Sequence, residues 1–185
     1  MTTTQAIQTR YGGCHFRSRL EARWAVFFDH LEVPWDYEPE GYRLPSGWYL
    51  PDFWLPQQDA WFEIKGARPT DLEQQLGGEL REATGKVVYI AWGSMPRDPD
   101  FTGKDATSDL GGVGSRDIDL ANSDMDYAWC ICTSCGKPGV EYEARSERIC
   151  GGRGHKERNG DHPRIAAAYI AARSARFEHG QKGPA

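Results

Sequence analysis

The chain has 185 residues, of which 39% are apolar and 26% charged, with a formal net charge of −5. That length accommodates one sizeable domain and a small one, and the lack of an 18-residue apolar run argues against a membrane span. Met1-Thr2-Thr3-Thr4-Gln5 has neither the basic nor the apolar stretch of a signal peptide, and the five cysteines are an odd set with four clustered late; together they point to a reducing, cytoplasmic setting and to metal ligation rather than a disulfide framework.

The first predicted element is a helix. Leu20, Trp24, Phe27, Phe28 and Leu31 fall at i, i+4, i+7, i+8 and i+11, one apolar stripe. Glu21 lies at its edge, where a carboxylate facing a core needs a partner or a metal. Ser18-x-x-Glu21 is also a capping box, in which the glutamate closes the helix end. Both roles stay open at this point.

Val33 to Leu44 and Tyr49 to Leu55 then read as strands, parted by the turn Pro45-Ser46-Gly47. Pro56-Gln57-Gln58-Asp59-Ala60 is a five-residue hairpin loop leading into Trp61-Phe62-Glu63-Ile64-Lys65. Strand side chains alternate, so Glu63 and Lys65 share a face, roughly 7 Å apart. Folding about Gln58 sets Asp52 opposite Ile64, one residue from Glu63, and a small stagger makes the two acids neighbours. Singly, Asp52 reads as a strand-end aspartate and Lys65 as a solvated strand end. Glu63, flanked by Phe62 and Ile64, is harder to explain without a partner. Glu38 and Glu40 compete as site acids, but Pro39 and Gly41 suggest an exposed strand end. Thr70-x-x-Glu73 opens a second helix, with Leu72, Leu76, Leu80 and Ala83 on one face and Gly85 to stop it. Lys86 to Trp92 is a buried strand.

Pro51-Asp52 followed by Glu63-x-Lys65, on a helix, three-strand meander, helix, strand order, resembles the PD-(D/E)xK nuclease superfamily, whose enzymes cut nucleic-acid backbones. The resemblance implies an α/β, restriction-endonuclease-like αβββαβ core. It implies that Asp52 and Glu63 hold Mg²⁺ or Mn²⁺, with Glu21 assisting through the metal or its water and Lys65 positioning the attacking water. Many members carry a glutamate on the first helix. The four-residue set is similar to those of phage junction-resolving and transposon-end-cutting nucleases, which suggests a phage or mobile-element origin.

Residues 98–126 hold eight aspartates against Lys104 and Arg116, with four glycines and little periodicity, and read as a linker or surface loop. Beyond it, Cys132-x-x-Cys135, Cys150 and His155 have spacings suited to a closed tetrahedral zinc site, in a module resembling a zinc ribbon or knuckle. Cys130 and His162 are reserve ligands, and buried structural cysteines are the plainer alternative. Asp161-His162-Pro163 starts a final helix to about Glu178, with Ile165, Ala168, Tyr169, Ala172 and Ala175 or Arg176 on one face, suited to packing on the core or on a second copy.

The expected organisation is a nuclease core over 1–93, an acidic linker over 94–126, a zinc module over 127–162 and a terminal helix and tail over 163–185. The expected function is metal-dependent hydrolysis of DNA phosphodiesters, structure-selective for junction or branched DNA, with homodimerisation open. Basic faces flanking an acidic centre agree with a phosphate-bearing partner. The opposing expectation is a catalytically silent, zinc-stabilised DNA-binding or protein-adaptor module; RNA processing is a third.

Overall fold

The chain enters the fold through a short hairpin, β1 (Thr9–Tyr11) and β2 (Cys14–Phe16), turned by Gly12 and Gly13 in the left-handed region. The computed structural model describes residues 7–95, 110–113, 127–142, 150, 158–159 and 162–177. Ser18 caps α1 (Arg19–His30), accepting from the Glu21 N–H, and the predicted stripe buries Trp24, Phe27, Phe28 and Leu31. Five short strands follow: β3 (Asp36–Tyr37), β4 (Tyr42–Leu44), β5 (Gly47–Tyr49), β6 (Phe53–Leu55) and β7 (Ala60–Lys65).

Both long strands expected before β7 are therefore broken. Glu38 takes a positive φ of 46°, ahead of Pro39, so β3 pairs with β6 while β4 turns away to pair with β5 as a separate hairpin. The second break falls at Pro51, which has no N–H to donate to a ladder, and it leaves Asp52 just ahead of β6. The β6–β7 loop is Pro56–Asp59, closed by Asp59 at φ 51°, one residue shorter than expected. The register is accordingly Phe53↔Phe62, Trp54↔Trp61 and Leu55↔Ala60. One step further along, Asp52 falls opposite Glu63, where the sequence placed Ile64.

Thr70 and Glu73 form the expected reciprocal cap on α2 (Asp71–Thr84), and Gly85 ends it at φ 69°. The helix carries the chain across to β8 (Val87–Trp92), which runs parallel to β7. Then comes β9 (Leu110–Val113), inside the segment read as a linker. It pairs antiparallel with β8 and meets β10 (Tyr127–Cys132) at Tyr127↔Leu110. Glycine has poor strand propensity, so Leu110-Gly-Gly-Val113 gave no periodic signal and is held by pairing on both sides. β11 (Pro138–Tyr142) and β12 (Arg158–Asn159) both pair with β10. The main sheet thus runs β11-β10-β9-β8-β7-β6-β3 with β12 beside β10.

The expected boundary between core and cysteine module is consequently not a break in packing. Trp129 meets Phe27 at a ring distance of 5.5 Å and Phe62 at 6.1 Å, and Ile131 and Val140 belong to the same buried cluster. α3 (Pro163–Ser174) ends four residues before the expected Glu178 and packs on α1, Tyr169 lying 4.5 Å from Phe27. Its buried face is Ile165, Ala168, Tyr169 and Ala172, the first four predicted positions; the helix ends at Ser174, leaving Ala175 half-buried and Arg176 exposed. Phe62 and Ile64 point into this α1–α3 core, whereas Trp61 packs with Leu44, Tyr49, Leu80 and Val88 beneath α2 and the β4–β5 hairpin. By strand alternation Glu63 and Lys65 belong to that second face. No helix among the described residues is long and apolar enough to cross a membrane.

Candidate active site and cysteine cluster

Asp52 and Glu63 are 2% and 1% exposed, the deepest carboxylates in the described structure. Each is held by the other's strand. The Asp52 N–H donates to Glu63 Oε1 at 2.9 Å, and the Ile64 N–H donates to Asp52 Oδ2 at 2.7 Å. One oxygen of each acid is thereby fixed on backbone and the second is turned to a cation. Asp52 Oδ1 lies 2.5 Å from Arg17 Nη2, and Glu63 Oε2 lies 3.2 Å from Lys65 Nζ. Lys65 also faces Glu73 at 3.9 Å, so the α2 cap residue extends the acidic surround.

The electrostatics follow from burial. Loss of water pushes Asp52 well above the usual carboxylate range, the neighbouring Glu63 charge adds to this, and Lys65 pulls back. Burial works against the Lys65 ammonium, but Glu63 and Asp52 outweigh it and raise its pKa. Tyr49, reaching in from β5, is raised by burial and then by the Glu63 charge. Two buried acids, a firmly charged lysine and a neutral phenol thus share one small volume.

Glu21 sits at the entry of α1, beside its cap. Its Oε1 accepts from the Ser18 hydroxyl at 2.6 Å, and its Oε2 accepts from the Tyr37 hydroxyl at 2.5 Å and the Arg17 N–H at 3.1 Å. Both oxygens are spent on the helix entry, and the back-bond goes to Arg17, one residue before the cap. Among the described residues, the group of three or more His, Cys, Asp or Glu donors lying within 4.8 Å of one another is Cys132, Cys135 and Cys150. Glu21 therefore does not join Asp52 and Glu63 as a third close ligand. The reason is the layering: α1 covers one face of the sheet, and Glu63 sits on the other. Its charge is still felt, adding to the upward push on Asp52.

Sequence reading counts Arg17 only in the basic approach to the first helix, and gives Tyr37 and Tyr49 no place in the site. Arg17 pairs with Asp52, 35 positions away, and its Nε meets Glu38 at 2.6 Å. No local spacing encodes such a pairing. Glu38, set aside as solvent-facing, is this second anchor. Glu40 remains exposed and accepts from the Tyr42 hydroxyl.

The second site is the cysteine cluster. Cys132 ends β10, and the Gly136 N–H returns to Cys132 O at 2.7 Å with Gly136 at φ 73°, closing a tight knuckle. Cys150 Sγ comes within 3.6 Å of Cys132 Sγ. Burial pushes the Cys132 thiol up, but the backbone N–H groups of Cys135 and Ser134 and then the neighbouring thiols outweigh it, bringing it down to about 6. A thiolate is the metal-binding form, so the three sulfurs can hold a soft ion such as zinc. His155 lies outside the described residues. Neither reserve ligand belongs to the group: Cys130 donates to Gly139 O at 3.5 Å, and His162 Nδ1 accepts the Arg164 N–H as the cap of α3.

Comparison with protein-family models, curated proteins and solved structures yields no match.

Proposed function

We propose that the chain is a metal-dependent deoxyribonuclease with a PD-(D/E)xK-type, restriction-endonuclease-like core. The carrying observation is the paired, buried Asp52 and Glu63 with Lys65 3.2 Å from Glu63, on a helix, strands, helix, strand order. Their fit to a hard divalent ion is supported by chemistry: both are oxygen donors, buried side by side, and each turns one oxygen away from the backbone toward a cation, Asp52 Oδ1 to Arg17 and Glu63 Oε2 to Lys65. An ion held by Asp52 and Glu63 would supply Lewis acidity and neutralise phosphate charge. Lys65 is the group to orient a water or hold a proton beside the reacting phosphate, its charge secured by both acids. Glu21 is a positioning residue that fixes Tyr37 and the Arg17 backbone. Cys132, Cys135 and Cys150, with His155 as the fourth ligand, form a structural zinc site.

The experiment is to incubate the protein with Mg²⁺ or Mn²⁺ and plasmid, linear, single-stranded and four-way-junction DNA, with chelator as the control. Cation-dependent cutting that disappears in Glu63→Gln supports the reading. A second reading, a silent nuclease-fold adaptor for DNA or protein, draws on the Arg17–Asp52 ion pair, which neutralises a ligand from within. DNA binding without cutting under every condition favours it.

A further inference from the structure

We propose that Arg17 and a divalent cation compete for Asp52, and that the displaced guanidinium then takes a phosphate oxygen of the nucleic acid. This rests on the metal site assigned above to Asp52 and Glu63. Asp52 Oδ2 is committed to the Ile64 N–H, so Oδ1 is the oxygen available to a cation, and Arg17 Nη2 sits on it at 2.5 Å. An arginine is charged at every working pH, so a dication approaching the same oxygen meets a like charge. One of the two must leave.

The structure gives Arg17 both a pivot and a place to go. Its backbone N–H is pinned to Glu21 Oε2 and to the Tyr37 hydroxyl, each at 3.1 Å, while its side chain is 54% exposed. The side chain can therefore swing from a fixed root at the mouth of the site. Glu38, 2.6 Å from Nε, keeps hold of the stem side of the guanidinium and leaves the Nη2 donor to turn outward. A fork of N–H donors suits a phosphodiester better than a point charge does. In the cation-free state Arg17 neutralises a buried acid; in the loaded state it becomes a substrate contact. Cation and nucleic acid are then coupled: each frees or recruits the group the other needs, and by linkage the coupling is reciprocal.

The test uses the full chain and Mn²⁺ titrated by calorimetry, with and without a phosphorothioate-linked oligonucleotide that resists cleavage. Arg17→Gln should bind Mn²⁺ roughly fivefold or more tightly than the parent, within the usual range of such couplings. The oligonucleotide should raise Mn²⁺ affinity in the parent and leave Arg17→Gln unchanged. Glu38→Gln should weaken Mn²⁺ binding in the parent but have no effect when combined with Arg17→Gln, because Glu38 acts through Arg17. Equal or weaker Mn²⁺ binding by a folded Arg17→Gln overturns the proposal, since Arg17 would then be holding the acids in place. Should Arg17→Gln fail to fold, a Glu38→Gln chain that binds Mn²⁺ as tightly as the parent overturns it instead. Absence of Mn²⁺ binding in the parent and in every variant overturns the metal-site reading itself, a distinct result.

Discussion

Asp52 and Glu63 lock one another through the backbone: the Asp52 N–H holds Glu63 Oε1, and Asp52 Oδ2 is held by the Ile64 N–H next to Glu63. Two acids are thus kept side by side in a buried place, each facing a cation of its own, Arg17 for Asp52 and Lys65 for Glu63. Glu63→Gln should leave the chain folded, with cleavage lowered on the order of 10²-fold or more. Plasmid nicking alongside a thermal melt checks this; a folded variant that cuts like the parent removes Glu63 from the site.

The raised Asp52 pKa carries a sign. The folded chain holds this proton more tightly than the unfolded chain, whose aspartates titrate near about 3.9. Stability from this group therefore grows as pH falls through the folded pKa and levels off near the ordinary value. Asp52→Asn cannot titrate. The difference in Tm between parent and Asp52→Asn, measured in chelator, should shift in the parent's favour as pH falls through the window above the ordinary carboxylate value. A flat difference across that window contradicts the assigned burial and charge.

Glu21 separates a ligand from a positioning residue. With both oxygens bound to Ser18, Tyr37 and Arg17, Glu21→Gln should cost roughly 1–2 kcal/mol of stability by weakening charge-assisted bonds at a buried helix entry. Mn²⁺ affinity should stay close to that of the parent, and Tyr37→Phe should show the same pattern. Loss of cation binding as complete as in Glu63→Gln would return Glu21 to the ligand set.

Much of this was legible because it was local. The α1 stripe, the Thr70–Glu73 cap, the Gly85 stop and the alternation of Glu63 with Lys65 all follow from spacings of a few residues. The acid pair was nearly legible, missed by one position because loop length sets register and a shorter loop shifts it. What stayed hidden was long-range. Arg17 reaching Asp52 and Leu110–Val113 joining β8 to β10 both depend on chain crossings that no window of sequence displays.

The cysteine cluster gives the largest revision of expectation. A separate module could lose its metal while the core survived. Here Cys132 ends a strand whose Trp129 and Ile131 pack with Phe27, Phe28 and Phe62. The protein should purify with one zinc per chain, and Cys132→Ser should release it. The whole chain should then melt several degrees lower, since each 1 kcal/mol lost shifts Tm by roughly 2–4 °C at this size. Elemental analysis and calorimetry check both halves. Zinc loss with an unchanged Tm would show that packing alone holds β10.

Arg164 provides the last test, because it ties the knuckle to α1. Its Nη1 donates to Gly136 O at 2.8 Å, on the turn that closes over Cys132, and its Nη2 donates to Leu31 O at 3.3 Å, at the end of α1. Helix C-termini leave carbonyls without intrahelical partners, so this donor meets a need that packing cannot. Nη2 also lies 3.3 Å from Glu32 Oε2, an exposed partner that contributes little through solvent. Arg164→Met keeps the apolar stem and removes both donors, and should cost about 1–2 kcal/mol by urea unfolding. Glu32→Gln should cost almost nothing. The knuckle should also open, so zinc should pass to a chelator faster in Arg164→Met than in the parent. Equal zinc-release rates with equal stability would mean that the sheet fixes the knuckle without help from α3. A stability loss as large in Glu32→Gln would instead place the effect in the ion pair.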